Sequence, residues 1–220
     1  MPAEASFELL VFDWDGTLVD STRLIAQAIL AAADDLGVPV PDRGLAAHVI
    51  GLGMAQALAQ VVPGLPREQI GPFAARYHAH YRAREDAIEL FAGVRDALDT
   101  LRARGVPMAV ATGKTRAGLE RSLARTGLGE HFVALRCADQ TQPKPHPAML
   151  LELAAQCGTP VQRMLMVGDT THDLQMAATA GVAAIGVAYG AHPRAELERL
   201  QALAVFDTPA QLHHWLLANF

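Results

Sequence analysis

The stretch Phe7-Glu8-Leu9-Leu10-Val11-Phe12-Asp13-Trp14-Asp15-Gly16-Thr17 passes from an almost wholly apolar segment directly into two acids one residue apart. A short continuous apolar run predicts a strand buried on both faces, here over Phe7 to Phe12. The two acids then fall at its carboxyl end, where open parallel sheets bind ligands. Four more runs repeat the pattern: Met108 to Thr112, Phe132 to Cys137, Met164 to Gly168 and Ala184 to Ala188. Helical stripes lie between them. Val94, Ala97, Leu98 and Leu101 precede Gly105, Leu119 and Leu123 precede Gly127, and Met149, Leu150 and Leu153 precede Gly158, each glycine a helix stop. This alternation predicts an α/β fold, a Rossmann-like parallel sheet with helices on both faces and right-handed crossovers.

The first crossover is too long for a single βαβ unit. Ser21 is placed to cap a helix through Leu36, with Leu24, Ile25, Ala28 and Ile29 on one face. Shorter helices are expected over Leu45 to Ile50 and Met54 to Val62, and a longer one follows the Pro63, Gly64, Pro66 cluster through Arg84. The expected organisation is a core of residues 1–20 and 88–220 and an inserted helical domain over 21–87, roughly 65 residues long.

Of 220 residues, 51% are hydrophobic and 19% charged, enough apolar surface for a folded core. A formal charge of -5 without a one-signed tail argues against nucleic acid or an anionic membrane as partner. Met1 to Ser6 lack the basic start of a leader peptide, and no apolar run approaches the ~20 residues a membrane helix needs. Cys137 and Cys157 lack CxxC spacing and read as free thiols, which suits a reducing, cytoplasmic setting. Only two of the 18 basic residues are lysines, Lys114 and Lys144. In an Arg-biased chain a retained lysine marks a position that needs a compact point charge.

Four polar clusters fall at or just beyond expected strand ends: Asp13-Trp14-Asp15-Gly16-Thr17, Thr112-Gly113-Lys114, the loop carrying Lys144, and Gly168-Asp169-Thr170-Thr171-His172-Asp173. Singly each has a plain alternative as a turn, cap or solvated loop. Together they describe one rim with several carboxylates, two ammonium groups, a hydroxyl and loop amides. Carboxylates so crowded repel one another unless a cation lies among them, and oxygen ligands favour Mg²⁺. Such a rim suits phosphoryl transfer. An aspartate attacks phosphorus to form an aspartyl-phosphate, and the second acid of the pair protonates the leaving alkoxide and then activates water.

Asp13-Trp14-Asp15-Gly16-Thr17-Leu18-Val19-Asp20-Ser21, Ala111-Thr112-Gly113-Lys114, Lys144-Pro145-His146-Pro147 and Gly168-Asp169-Thr170-Thr171-His172-Asp173 resemble the four ordered motifs of the haloacid dehalogenase superfamily. The resemblance is closest to its phosphoglycolate phosphatase-like branch, in which an α-helical cap is inserted after the first motif. It implies Asp13 as nucleophile, Asp15 as general acid and base, Thr112 with the Gly113 amide as phosphate cradle, and Lys144 as charge neutraliser. It also implies Mg²⁺ held by Asp13, the Asp15 carbonyl and Asp169, with Asp173 supporting through water or by orienting Lys144. Lys114 varies in this branch and is carried only as a possible substrate contact. Trp14 stands where a smaller apolar residue is usual, and strand alternation turns it away from the acids.

The resemblance implies a phosphatase acting on a small phosphorylated metabolite, with phosphoglycolate the first candidate, in a monomer or homodimer that binds neither nucleic acid nor membrane. Asp15 disfavours dehalogenation, which has no alkoxide to protonate, and Thr17 disfavours a phosphosugar mutase, which usually carries Val there. A non-catalytic phosphate sensor would have no use for both acids. Gly113-Lys114-Thr115 is not a P-loop, because Met108 stands where its first glycine belongs. Arg43, His48, Arg76, His78, Tyr81 and Arg82 are the insertion's candidates for substrate contact, and Arg116 is a further one.

Overall fold

Six parallel strands build the sheet of the computed structural model, which describes residues 7–220. They are β1 (Leu9–Phe12), β2 (Met108–Thr112), β3 (Ala134–Cys137), β4 (Met164–Gly168), β5 (Ala183–Val187) and β6 (Ala204–Phe206), in the order β3-β2-β1-β4-β5-β6. The α/β architecture is as the alternation predicts. The first strand starts at Leu9 rather than Phe7, and the third at Ala134 rather than Phe132, where Val133 faces solvent at 61% exposure. β6 has no counterpart among the apolar runs of the sequence. The expectation drawn from Met1 to Ser6 lies outside the described residues.

β1 is buried along its whole length, and alternation sends its side chains to two cores. Leu10 and Phe12 join Leu98 and Leu101 of α5 (Val94–Ala103), Leu119 of α6 (Arg116–Thr126) and Leu212 of α10 (Pro209–Asn219). Leu9 and Val11 join Met149 and Leu153 of α7 (Ala148–Cys157) and Met176 of α8 (Thr171–Ala180). A strand covered on both faces needs apolar residues at every position, which is why β1 and β4 read as unbroken runs.

Four helices separate β1 from α5: α1 (Thr22–Asp35), α2 (Arg43–His48), α3 (Met54–Val61) and α4 (Ile70–Arg82). The second starts two residues before the expected Leu45 because Asp42 caps it, its Oδ1 accepting from the Leu45 amide at 2.8 Å. Ser21 stands at the N-cap of α1 but makes no side-chain cap bond, contrary to expectation. Its hydroxyl donates instead to Asp15 Oδ1 at 2.5 Å, because a charged acceptor outcompetes a backbone amide for it. The chain leaves and re-enters the sheet region side by side, with the Asp20 amide donating to the Glu89 carbonyl at 2.9 Å.

The turn after β1 fixes the position of everything that follows. Gly16 has φ of 81°, and a Cβ there would lie 2.1 Å from Asp169 Oδ2. Only glycine accepts that backbone and that approach at no cost.

Candidate active site

Asp13 is the first residue past β1, and its amide donates to the Val167 carbonyl of β4 at 2.9 Å. The ladder thus carries the register of the sheet onto the acid. Asp169 follows β4 directly, and Asp173 sits in the first turn of α8, where its side chain and Thr170 form a reciprocal capping box. The Thr170 hydroxyl and amide donate to Asp173 Oδ2 at 2.7 and 3.1 Å. Asp169 accepts from Thr17 Oγ1 at 2.9 Å and from the Ala191 amide at 2.7 Å. Lys144, from the loop after β3, places Nζ 2.9 Å from Asp13 Oδ1 and 2.6 Å from Asp173 Oδ1. Lys144, Asp169 and Asp173 are 0% exposed and Asp13 is 1%, so water does not screen these charges from one another.

One lysine does not balance three acids. A carboxylate oxygen from each of Asp13, Asp169 and Asp173 lies within 4.8 Å of the others. Burial, with repulsion from Asp173, lifts Asp13 from 3.8 to about 7 against the pull of Lys144. Burial and repulsion from Asp13 and Asp173 hold Asp169 well above the usual carboxylate range. Burial disfavours the Lys144 ammonium, but Asp13 and Asp173 outweigh it and the net shift is upward. Asp13 Oδ2 is buried and has no hydrogen-bond partner among the described residues. Crowded, protonation-prone carboxylates fit a hard divalent cation, which would supply the missing charge.

A second ion pair lies beside the first. Lys114 Nζ is 2.9 Å from Asp15 Oδ2 and donates to Tyr81 Oη at 3.0 Å, lying 4.7 Å from the centroid of that ring. Both lysines of the chain therefore pair with the two acids that follow β1. Thr112 Oγ1 accepts from the Lys114 amide at 3.2 Å. A Cβ on Gly113 would lie 2.5 Å from the Gly51 carbonyl oxygen, so glycine there lets the insertion's loop close onto the rim.

Above the rim is a cavity of about 340 Å³. Asp13, Asp15, Thr112, Gly113 and Lys114 line its floor. Lys144, Asp169 and Asp173 lie behind Asp13 and do not line it. Of the insertion's candidates, His78 and Tyr81 line it, together with Tyr77 and the stretch from Val49 to Met54, which the sequence did not single out. Arg76 pairs with Asp35, as does His80 at 2.7 Å, both on the outer surface. Arg43 and Arg82 do not line the cavity, and Arg116 is held at the edge by Glu120 at 2.7 Å. Trp14 turns away, its Nε1 donating to Ser122 Oγ at 2.9 Å.

His48 serves another purpose. The Nε2 atoms of His172 and His192 both lie 2.9 Å from its carbonyl oxygen, and its ring stacks on His192 at 4.3 Å. A carbonyl only accepts, so both Nε2 atoms carry their protons there, while His192 Nδ1 accepts from the Thr171 amide at 3.0 Å. Through these bonds His172 and His192 fasten the end of α2 to the sheet side.

The residues missed by sequence reasoning are mostly the supports: Ser21, Thr17 and Thr170, each donating to a site carboxylate. Their signal was a hydroxyl within or beside an acidic motif. The sequence profile described as "Haloacid dehalogenase-like hydrolase" matches residues 10–187. The Dickeya dadantii protein named "Probable phosphatase IndB" is 38% identical over 208 residues, covering 91% of this chain and 89% of its own. The Mycobacterium tuberculosis protein named "Tyrosine-protein kinase PtkA" is 35% identical over 83% of this chain, which spans only 62% of that longer protein. A crystal structure from Haemophilus somnus, described as a predicted phosphoglycolate phosphatase, superposes with a TM-score of 0.80 at 27% identity, covering 96% of this chain and 98% of that one.

Proposed function

Since the chain belongs to the haloacid dehalogenase-like hydrolase family, we propose that it is a Mg²⁺-dependent phosphatase that hydrolyses a small phosphomonoester through an aspartyl-phosphate on Asp13. The observation that carries this reading is the orphaned Oδ2 of Asp13, on a residue that lines the cavity while its other oxygen is held by Lys144 at 2.9 Å. A carboxylate so oriented attacks phosphorus with one oxygen, and the P–O bond to the leaving alcohol breaks. Asp15 gives its proton to that alkoxide, then takes one from the water that attacks the acyl phosphate and frees inorganic phosphate and Asp13. Thr112 and the Gly113 amide hold the phosphate oxygens. Lys144 and the Thr170 bonds hold Asp13 and Asp173 in register.

Asp13, Asp169 and the Asp15 carbonyl would hold Mg²⁺, with Asp173 acting through Lys144. When bound, the ion supplies charge neutralisation for the phosphoryl oxygens. Residues 21–87 would act as the cap that excludes water during transfer, a role supported by the loop around Gly51 meeting the rim at Gly113. A kinase reading is not favoured: Met108 removes the P-loop, and the mycobacterial relative extends well beyond this chain.

Release of inorganic phosphate from a phosphomonoester panel, with Mg²⁺ and after chelation, tests the proposal. Expected are turnover that needs the metal and a loss of at least about 10⁴-fold in kcat for Asp13→Asn. Undiminished turnover in Asp13→Asn, or none of any ester by the folded, metal-loaded protein, overturns it. Conversion of a hexose 1-phosphate without phosphate release would make the chain a mutase instead.

A further inference from the structure

The cavity has two unlike linings, the polar rim around Asp13 and an apolar set of residues from the insertion, and the second carries information about the leaving group. Ile25 and Ile29 of α1, Val49 and Ile50 after α2, and Ala57 of α3 form its roof and are all buried. Tyr77 and Tyr81 add an aromatic wall, their ring centroids 6.0 Å apart at 29°. Burial pushes both phenols above their ordinary pKa, so the wall is uncharged.

The two cations lining the cavity each already face an acid. Lys114 is held by Asp15 and Tyr81. Arg121 lies 3.8 Å from Glu85, and its guanidinium donates to the Ala117 carbonyl at 3.1 Å. Asp139, at the edge, accepts from the Arg116 amide at 2.9 Å and would repel an anion. Burial, followed by Arg82, Arg121 and Lys114, depresses His78, which therefore faces the cavity as a neutral imidazole. Among the described residues lining the cavity the cations are Lys114 and Arg121, and each already faces an acid that a carboxylate on the leaving group would have to displace.

Resting on the phosphatase reading above, we infer that the leaving group is an uncharged alcohol bearing an apolar or planar ring, rather than a short hydroxy acid such as glycolate. A ring against Ile25, Ile29 and the Tyr77 face gains burial, and His78 offers it one hydrogen bond. A glycolate carboxylate would lose its water there and would have to compete with Asp15 or Glu85 for a cation, which costs more than a missing apolar contact. The volume agrees: about 340 Å³ is roughly eleven times the ~30 Å³ that a water occupies in the liquid, more than a phosphoryl group and two carbons fill.

The test compares esters of alkyl alcohols, so that intrinsic leaving ability does not dominate. With Mg²⁺ present, kcat/KM is measured for benzyl phosphate, 2-phenylethyl phosphate, glycerol 1-phosphate and 2-phosphoglycolate. The ring esters are expected to exceed 2-phosphoglycolate at least about tenfold. In Ala57→Phe, which fills the roof, the ratio of benzyl phosphate to 2-phosphoglycolate is expected to fall at least about fivefold. The wild-type ranking stands without the variant, should that protein not fold. Equal or greater efficiency on 2-phosphoglycolate overturns this inference while leaving the phosphatase reading intact. Failure to hydrolyse any of the four esters, or any other phosphomonoester, overturns the phosphatase reading itself.

Discussion

The floor and the roof of the cavity are held by opposite physics. On the floor and just behind it, each buried charge is fixed by at least one partner of opposite sign or a donor: Asp13 by Lys144, Asp15 by Lys114 and Ser21, Asp169 by Thr17 and the Ala191 amide. On the roof, Ile25, Ile29, Val49 and Ala57 are fixed only by shape and burial. Directional bonds in a dry site fail when one member is lost, because the partner is stranded as an uncompensated charge. Apolar packing fails gradually, with lost area and cavity volume. The floor is built to do one thing, and the roof is free to vary what it is done to.

The comparison breaks first at Asp15. Asn keeps the shape and the Ser21 contact but cannot carry a proton. If the floor works as an acid and base pair, Asp15→Asn loses about 10² to 10⁴ in kcat while its circular dichroism stays that of the wild type. A loss below tenfold would mean that Asp15 only positions Lys114. Lys144→Met probes the same floor through stability. It leaves Asp13 and Asp173 facing each other in a site without water, and urea unfolding in chelator should show a loss of about 3 to 5 kcal/mol. Added Mg²⁺ should restore part of it by taking over the missing positive charge. A roof substitution of similar size, Ile29→Val, is expected to cost about 0.5 to 1.5 kcal/mol.

That contrast also decides how much of the molecule could be read in advance. β2 and β4 were legible to the residue, because a two-face-buried strand writes itself as an apolar run ending in a turn. β6 was not, because its three residues are all half-exposed and lie at the sheet edge. The floor acids were legible because each stands at a strand end, where a charge has no reason to be unless it is used. The two lysines were legible for a compositional reason, standing out in a chain that otherwise writes Arg. The roof was illegible because Ile25 and Ile29, four apart on α1, make the same stripe whether they face a core or a ligand. Ser21 was misread for a related reason: a hydroxyl before a helix has two uses, and only the neighbour in space, Asp15, decides between them.

The smallest effect is expected where roof meets floor side, at the three histidines. His192 is held down from 6.5 to about 4, first by burial and then by the nearby His172 and His48 rings, and His172 is lowered by burial as well. The contact at Glu196, 3.7 Å from His48, opposes this only in part. A base whose folded pKa is depressed binds fewer protons folded than unfolded. Its contribution to stability is therefore complete above about 6.5 and is lost as pH falls toward 4. Asp13 acts in the opposite sense when no cation is bound: raised to about 7, it contributes stability below its ordinary 3.8 and loses it as pH rises through 7. The two slopes can be separated by subtraction. His192→Gln can still accept from Thr171 and donate to the His48 carbonyl but does not titrate, and it leaves Asp13 untouched. Comparing urea midpoints of wild type and variant at pH 7 and pH 5 in chelator should then show the wild type losing more on acidification. Equal differences in the two proteins would mean that the histidine contact holds α2 to the sheet equally well whether or not it is charged.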